Sequence, residues 1–337
     1  MLGEATIDYL DRPTAKAVAS RLTGRIGLLS NANLSPWINW STLAPPLFHE
    51  IGKLTDSVEI APPPLRSGRI GGWAGALGQA WSVRHMFQFQ SSSKPETPLL
   101  LVSAMRGLVH RAAFVVDPWR PQLKKIAIGA RLQRLDHVFI PYHEAWEELS
   151  RGGADERYHW LPFGIDTNVF DSHAATRDVD IYWMGRRYDP LHRALLDYSE
   201  RNGLNYAYTG KISMFDDPAA LGHFVSRCRY FVVTPPDLDN PVRTGGFSPL
   251  VMRYLEGLAA GCRLLGVLPK SGEFQNLLPR DAILEVAPDG HDLAEKLAFD
   301  ATNTAGGEAS AAATRLVREH HGWSARAHSI VNALAAG

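Results

Sequence analysis

The sequence predicts two α/β domains, each built on a parallel sheet with helices on both faces, and three observations carry that prediction. The chain has 337 residues, about twice the usual size of a single domain, so two cores are expected. Short apolar runs alternate with amphipathic stretches, the pattern of successive βαβ units. The alternation stops in a polar segment at 166–178 that has neither period, then resumes, which marks a linker between two similar halves.

In the first half, 25–30, 99–103, 112–116 and 137–140 are short apolar runs of strand length, and 122–135 has helical periodicity. In the second half, strands are expected at 179–184, 204–208, 230–233, 263–267 and 282–286. Helices are expected between them at 190–201, 218–226, 250–260 and 292–298. The chain then ends in helix. Segment 304–320 is Ala-rich, with Gly306 and Gly307 expected to interrupt it early, and 323–336 places Trp323, Ala327, Ile330 and Leu334 at helical spacing. The expected division is 1–165, a linker at 166–178, a second domain at 179–320 and a terminal helix at 321–337.

Composition excludes several classes. Hydrophobic residues make up 45% and charged residues 21%, ordinary values for a globular chain, and no apolar run is long enough to span a bilayer. Glu4, Asp8 and Asp11 stand where a signal peptide needs a basic start and an apolar core, so a cytoplasmic location is expected. Cys228 and Cys262 are the only cysteines and read as buried thiols. Net charge is zero, but residues 1–160 hold 18 Lys/Arg against 14 Asp/Glu and the remainder 17 against 21. That excess is too diffuse for nucleic acid. It suits either an N-terminal face that meets an anionic acceptor or a membrane surface peripherally, or an imbalance without consequence. No G-x-G-x-x-G follows a strand, and no Walker loop, H-E-x-x-H or G-x-S-x-G occurs.

Ligands of parallel sheets bind at the carboxyl ends of the strands, so the loops there hold the candidates. Gly245 and Gly246, then Phe247 and Ser248, precede the expected helix at 250–260. Glycines before a helix let backbone amides approach a phosphate, and a helix N-terminus adds about half a positive charge. Ser248 reads as the N-cap with Pro249 at the first helical position. Arg253 and Glu256 are three apart and share a helix face. An arginine neutralises a diphosphate and a glutamate accepts hydrogen bonds from a ribose, so the pair suits a nucleotide; it equally makes an ordinary solvated ion pair.

Residues 253–265, RYLEGLAAGCRLL, resemble the R-x-F-E-x-x-A-x-G-x-x-L-L segment of GT-B glycosyltransferases, in particular the group 1 and spore-maturation-like branch, with Leu255 in place of phenylalanine. Other similarities extend over roughly 136–335. Residues 159–170, HWLPFGIDTNVF, resemble the interdomain P-x-G-[IV]-D-x-x-x-F element, in which Asp166 reads as a turn former. Residues 179–187, VDIYWMGRR, resemble the first strand of a donor domain and its Gly-Arg turn; the series from Gly272 to Leu297 and the Trp323-x-x-Arg326 tail follow. The resemblance implies a GT-B fold, with two Rossmann-like domains facing a central cleft, the N-terminal one for acceptor and the C-terminal one for donor, and a terminal helix packing back on the N-domain.

It also implies an enzyme of polysaccharide or glycoconjugate biosynthesis. Such an enzyme moves a sugar from a nucleoside-diphosphate sugar to a glycan, lipid-linked or small-molecule acceptor, with no cofactor and no metal. On this reading the donor contacts are Gly185, Arg186, Arg187, Lys211, Gly245, Gly246, Phe247, Ser248, Arg253 and Glu256, with only one of Arg186 and Arg187 needed at the diphosphate. Retaining members carry a second glutamate eight positions before Glu256, where this chain has Ser248, so stereochemistry does not carry over. Asp117, closing an apolar strand, reads as the base that deprotonates the acceptor or as a helix cap; His110 is the alternative base. Trp37 and Trp40 read as acceptor-stacking indoles or as core. Two other readings remain: a sugar-nucleotide epimerase on this fold, and a non-catalytic nucleotide- or glycan-binding partner subunit.

Overall fold

A computed structural model describes residues 22–30, 43–60, 70–91, 107–171, 174, 176–212, 215, 217–303 and 305–336. The chain forms two compact units, Arg12–Phe163 with Trp323–Gly337, and a second one containing Gly164–Gly322. The expected strand at 99–103 lies outside the described residues, as do Trp37 and Trp40.

The first unit runs β1 (Ile26–Ser30), α1 (Ala44–Leu54), β2 (Ser57–Ile60), α2 (Ile70–Trp81), β3 (His85–Ser91), β4 (His110–Val116), α3 (Leu123–Leu132), β5 (His137–Ile140), α4 (His143–Ser150) and β6 (Tyr158–Trp160). Its six strands are all parallel in the order β2-β1-β3-β4-β5-β6. Helix α1 turns Ala44, Leu47, Phe48 and Ile51 inward, the apolar stripe of an amphipathic helix. Strand β3 is paired on both edges, so Gln88 and Gln90 are buried there with Met86, Phe87 and Phe89. Its alternating glutamines do not suggest a strand buried on both faces, and β2 and β6 are short, which is why none of the three stood out.

The second unit runs β7 (Val179–Trp183), α5 (Asp189–Asn202), β8 (Tyr206–Tyr208), α6 (Pro218–Ser226), β9 (Cys228–Val233), α7 (Pro236–Asp239), α8 (Pro241–Thr244), α9 (Met252–Ala259), β10 (Arg263–Gly266), α10 (Glu273–Leu277), β11 (Ile283–Glu285), α11 (Leu293–Thr302) and α12 (Ala305–His320). Five parallel strands take the order β11-β10-β9-β7-β8. One core holds Ile181, Trp183, Leu191, Leu195, Val232 and Leu265. Gly306 and Gly307 do not interrupt a helix; they lie in the first turn of α12. Asp166 makes the turn expected of it, accepting the Asn168 amide on its carboxylate at 3.0 Å and the Phe170 amide on its carbonyl at 3.0 Å.

Helix α13 (Trp323–Ala336) belongs to the first unit, where Trp323 meets the rings of Phe89 and Phe114 edge-on at 6.3 and 6.2 Å. Arg326 is fully buried and donates to the carbonyls of Pro162 and Phe163, both at 2.8 Å.

Helix α9 is held close to the second sheet by a glycine. A Cβ on Gly257 would lie 2.7 Å from the Phe231 ring and 2.9 Å from Leu264, both fully buried. A Gly257→Val variant is therefore expected to lose about 2–3 kcal/mol through overpacking, read as a lower denaturant midpoint. An unchanged midpoint would show that α9 can lift off the sheet at little cost.

Candidate active site

After β7 the chain turns at Gly185, in the left-handed region at φ 81°, where glycine is tolerated without strain. Its amide donates to Thr209 Oγ1 at 2.9 Å, just beyond β8. The Arg253 guanidinium lies against the turn: a Cβ on Gly185 would be 3.8 Å from its Cζ, ordinary van der Waals contact. Arg253 Nη1 donates to the carbonyls of Met184 and Arg186 at 3.3 and 3.4 Å. The first turn of α9 and the turn after β7 thus meet at the carboxyl edge of the sheet, where parallel sheets bind ligands.

Glu256 follows on the same face of α9. It keeps part of its surface accessible, yet desolvation pushes its pKa up to about 7 while the nearby Arg253 charge pulls the other way. Among the described residues no hydrogen-bond donor or ion-pair partner engages its carboxylate. Tyr182, on β7 below, has its hydroxyl pushed up to about 12, mainly by burial, with a smaller contribution from the Glu256 charge. The folded Glu256 holds its proton more tightly than an unfolded glutamate. Its stabilising contribution is therefore complete below the ordinary value near 4.5 and is lost as pH rises through about 7.

The other basic candidates divide. Arg186 is half exposed and sits 3.7 Å from the Asp239 carboxylate. Arg187 turns away: its guanidinium donates to the Thr209 carbonyl and lies 4.9 Å from the Tyr208 ring centroid. Lys211 folds back as well, donating from Nζ to the Tyr206 carbonyl at 2.6 Å. Both side chains are tied to the end of β8 rather than presented with Arg253.

The segment before α9 differs from its expected form. Gly245 and Gly246 are left-handed, at φ 64° and 88°, and they terminate α8. Helix α9 starts at Met252 with Val251 as its N-cap, so the glycine pair is not at the helix N-terminus. Ser248 is not the N-cap. It is buried, and its hydroxyl accepts the Lys270 amide at 3.1 Å. The Leu250 amide, expected inside the helix, donates to the buried Glu273 carboxylate at 2.6 Å. The Phe247 side chain is completely buried, which leaves only its main chain for a ligand. Thr209, Glu273 and Lys270 escaped sequence reading. Lys270, in the loop after β10, pairs with Asp237 at 2.9 Å while its side chain stays 73% exposed; its place after a strand was the available signal.

In the first unit Asp117 ends β4 with φ 53°, a conformation that aspartate tolerates better than most residues. Its carboxylate accepts the Tyr142 hydroxyl at 2.8 Å. The short helical turn that follows has Trp119 as its N-cap, so Asp117 is not in the capping position. His110 opens β4 and stacks on His85 at 5.5 Å. It therefore lies at the amino edge, roughly 20 Å of strand away from Asp117 at about 3.3 Å per residue, and cannot replace it. Among the described residues no three His, Cys, Asp or Glu side chains form a metal-binding group, and no helix is long and apolar enough to cross a membrane.

No protein-family model and no curated protein matches the sequence. Solved structures do match in fold. Anabaena Alr3699/HepE, in complex with UDP and glucose, superposes with a TM-score of 0.60 at 12% identity, covering 93% of this chain and all of that one. Sucrose-phosphate synthase from Thermosynechococcus elongatus gives 0.55 at 12% identity over 91% of this chain and 97% of its own. UDP-GlcNAc 2-epimerase from Neisseria meningitidis, bound to UDP-GlcNAc, gives 0.55 at 9% identity over 93% of this chain and all of its own. With two parallel-sheet α/β units of six and five strands and these neighbours at nearly full length, the chain has the GT-B fold.

Proposed function

We propose that the chain is a glycosyltransferase that moves a sugar from a nucleoside-diphosphate sugar to an acceptor hydroxyl. The observation that carries this reading is the seating of Arg253 against the Gly185 turn at the carboxyl edge of the second sheet, with Glu256 three residues on in the same helix. Glu256 accepts the ribose hydroxyls with a carboxylate that no described side chain occupies. Arg253, with Arg186, places positive charge at the departing diphosphate, a fixed electrostatic stabilisation of the leaving group. Asp117 takes the proton of the acceptor hydroxyl as that oxygen attacks the anomeric carbon. The bond to the diphosphate breaks and the nucleotide leaves with the electron pair. HepE, whose structure holds UDP and glucose, supports a uridine donor.

Glu256→Ala is expected to weaken nucleoside-diphosphate binding by about 1–3 kcal/mol, the usual cost of stranding hydrogen-bond partners of a charged group. Calorimetry with UDP is the measurement, and an unchanged affinity would sink the assignment.

A second reading is an epimerase that acts on the nucleotide sugar itself. It is favoured by the UDP-GlcNAc 2-epimerase, which matches as well as the synthase does. Incubation with donor alone separates the two: isomerised donor means epimerase, and donor consumed only with acceptor means transferase.

A further inference from the structure

We propose that the second unit holds an anion pocket, remote from the nucleotide site, that takes a small phosphate monoester. A cavity of about 800 Å³ opens where β7, β9 and β10 begin, with α11 and α12 as its outer wall. The strands run from this edge toward the Gly185 turn, so the pocket is at the opposite end of the sheet from Arg253 and Glu256.

Its charge is positive. Arg177, Arg229, Arg263 and Arg315 line it against Asp180 and Asp300. Both carboxylates are already engaged. Asp300 accepts the Tyr230 hydroxyl at 2.9 Å and pairs with Arg263 at 3.2 Å; Asp180 accepts the Asn205 amide at 2.9 Å and faces Arg229 at 3.7 Å. Arg315 makes no hydrogen bond or ion pair with a described residue.

The 16-residue helix α12 begins at this cavity, and Gly306 and Gly307 of its first turn line it. The Ala305 amide donates to Asn303 Oδ1 at 3.0 Å; the other first-turn amides have no acceptor within the helix and carry the positive end of its dipole. A Cβ on Gly307 would meet nothing within 4 Å, so the approach to that turn is open.

Ser310 points independently to a ligand. It lines the cavity, is 94% buried (6% exposed), and its Oγ has no hydrogen-bond partner among the described residues. Arg263 Nε is also buried and has no partner among the described residues. Buried polar atoms without partners are uncommon and costly. The phosphate accepts from the Ser310 hydroxyl and from Arg263 Nε–H, with Arg315 as counter-charge. The cavity is larger than a bare phosphate needs. Tyr198, Leu204 and Leu297 on its wall suit the carbon body of an ester.

Arg177 and Thr314 donate to the carbonyls of Ala260 and Leu258 at the end of α9, so the test leaves them intact. Gly307→Glu puts a carboxylate at the mouth, and glutamate in a first helical turn favours folding. Ser310→Ala removes the unpartnered hydroxyl. Calorimetry of the full chain with glucose 6-phosphate, and separately with inorganic phosphate, reads the outcome. Glucose 6-phosphate is expected to bind the wild type and Glu256→Ala alike, and at least about tenfold more weakly both variants of the pocket. Their thermal midpoints should be no lower than that of the wild type without ligand. The proposal is overturned by no saturable binding, by binding that survives Gly307→Glu, or by binding lost in Glu256→Ala. Inorganic phosphate binding as tightly as the ester would overturn the assignment to a monoester.

Discussion

An Arg253→Ala variant is expected to turn over donor about 10²–10³-fold more slowly, the usual loss when one fixed donor to a developing negative charge is removed. Two features set that size. Arg253 is held by the carbonyls of Met184 and Arg186 against the Gly185 turn, so it needs no rearrangement when the diphosphate departs. Its charge also counteracts the desolvation that raises Glu256 to about 7. Without Arg253 the glutamate pKa moves higher still. A ribose bound through the Glu256 carboxylate requires the ionised form, so wild-type nucleotide affinity is expected to rise as pH passes upward through about 7. In Arg253→Ala that rise is displaced to more alkaline pH. Steady-state kinetics and calorimetry from pH 6 to 9 check both parts. A slower enzyme with an unshifted pH profile would place Arg253 on the substrate but not beside a titrating Glu256.

Arg326→Ala is expected to destabilise the first unit by about 3–5 kcal/mol. The guanidinium is the sole polar head of a fully buried side chain, and it donates to two main-chain carbonyls, those of Pro162 and Phe163. Truncation withdraws a charged donor from each, at about 1–3 kcal/mol per stranded acceptor, and leaves a cavity. Desolvation works in the opposite direction, lowering the arginine pKa to about 9, which keeps the net loss below the sum of the separate costs. Arg326→Lys should recover only part of it, since one ammonium lacks the fork that reaches two carbonyls. Urea denaturation reads the loss. A midpoint equal to that of the wild type would show that α13 is held by Trp323 packing alone.

Nearly all the second sheet was legible in the sequence because each of its strands is short, apolar and followed by a helical pattern. The first sheet was harder. Strand β3 alternates apolar residues with glutamines, yet its place between β1 and β4 buries both faces, so the period of two gave no hint of a central strand. At the candidate site the Arg253/Glu256 pair was visible because spacing of three fixes a shared helix face whatever surrounds it. Ser248 was misread for the opposite reason. Its sequence neighbours suit an N-cap, but the Glu273 carboxylate, distant in sequence, takes the Leu250 amide and delays the helix to Met252.

The sequence by itself determined the alternation of strands and helices, the division into two α/β domains and the helix that carries Arg253 and Glu256. These follow from periodicity and local propensity, which act over a few residues. Only the tertiary structure decided which charges are presented. It left Arg186 half exposed but tied Arg187 and Lys211 to β8, buried Phe247 and Ser248, and put His110 at the amino edge, far along β4 from Asp117. Those outcomes depend on which carbonyl, ring or carboxylate the fold brings within about 3 Å of a side chain, and hydrogen bonds and ion pairs weaken too steeply with distance for chain spacing to stand in for it.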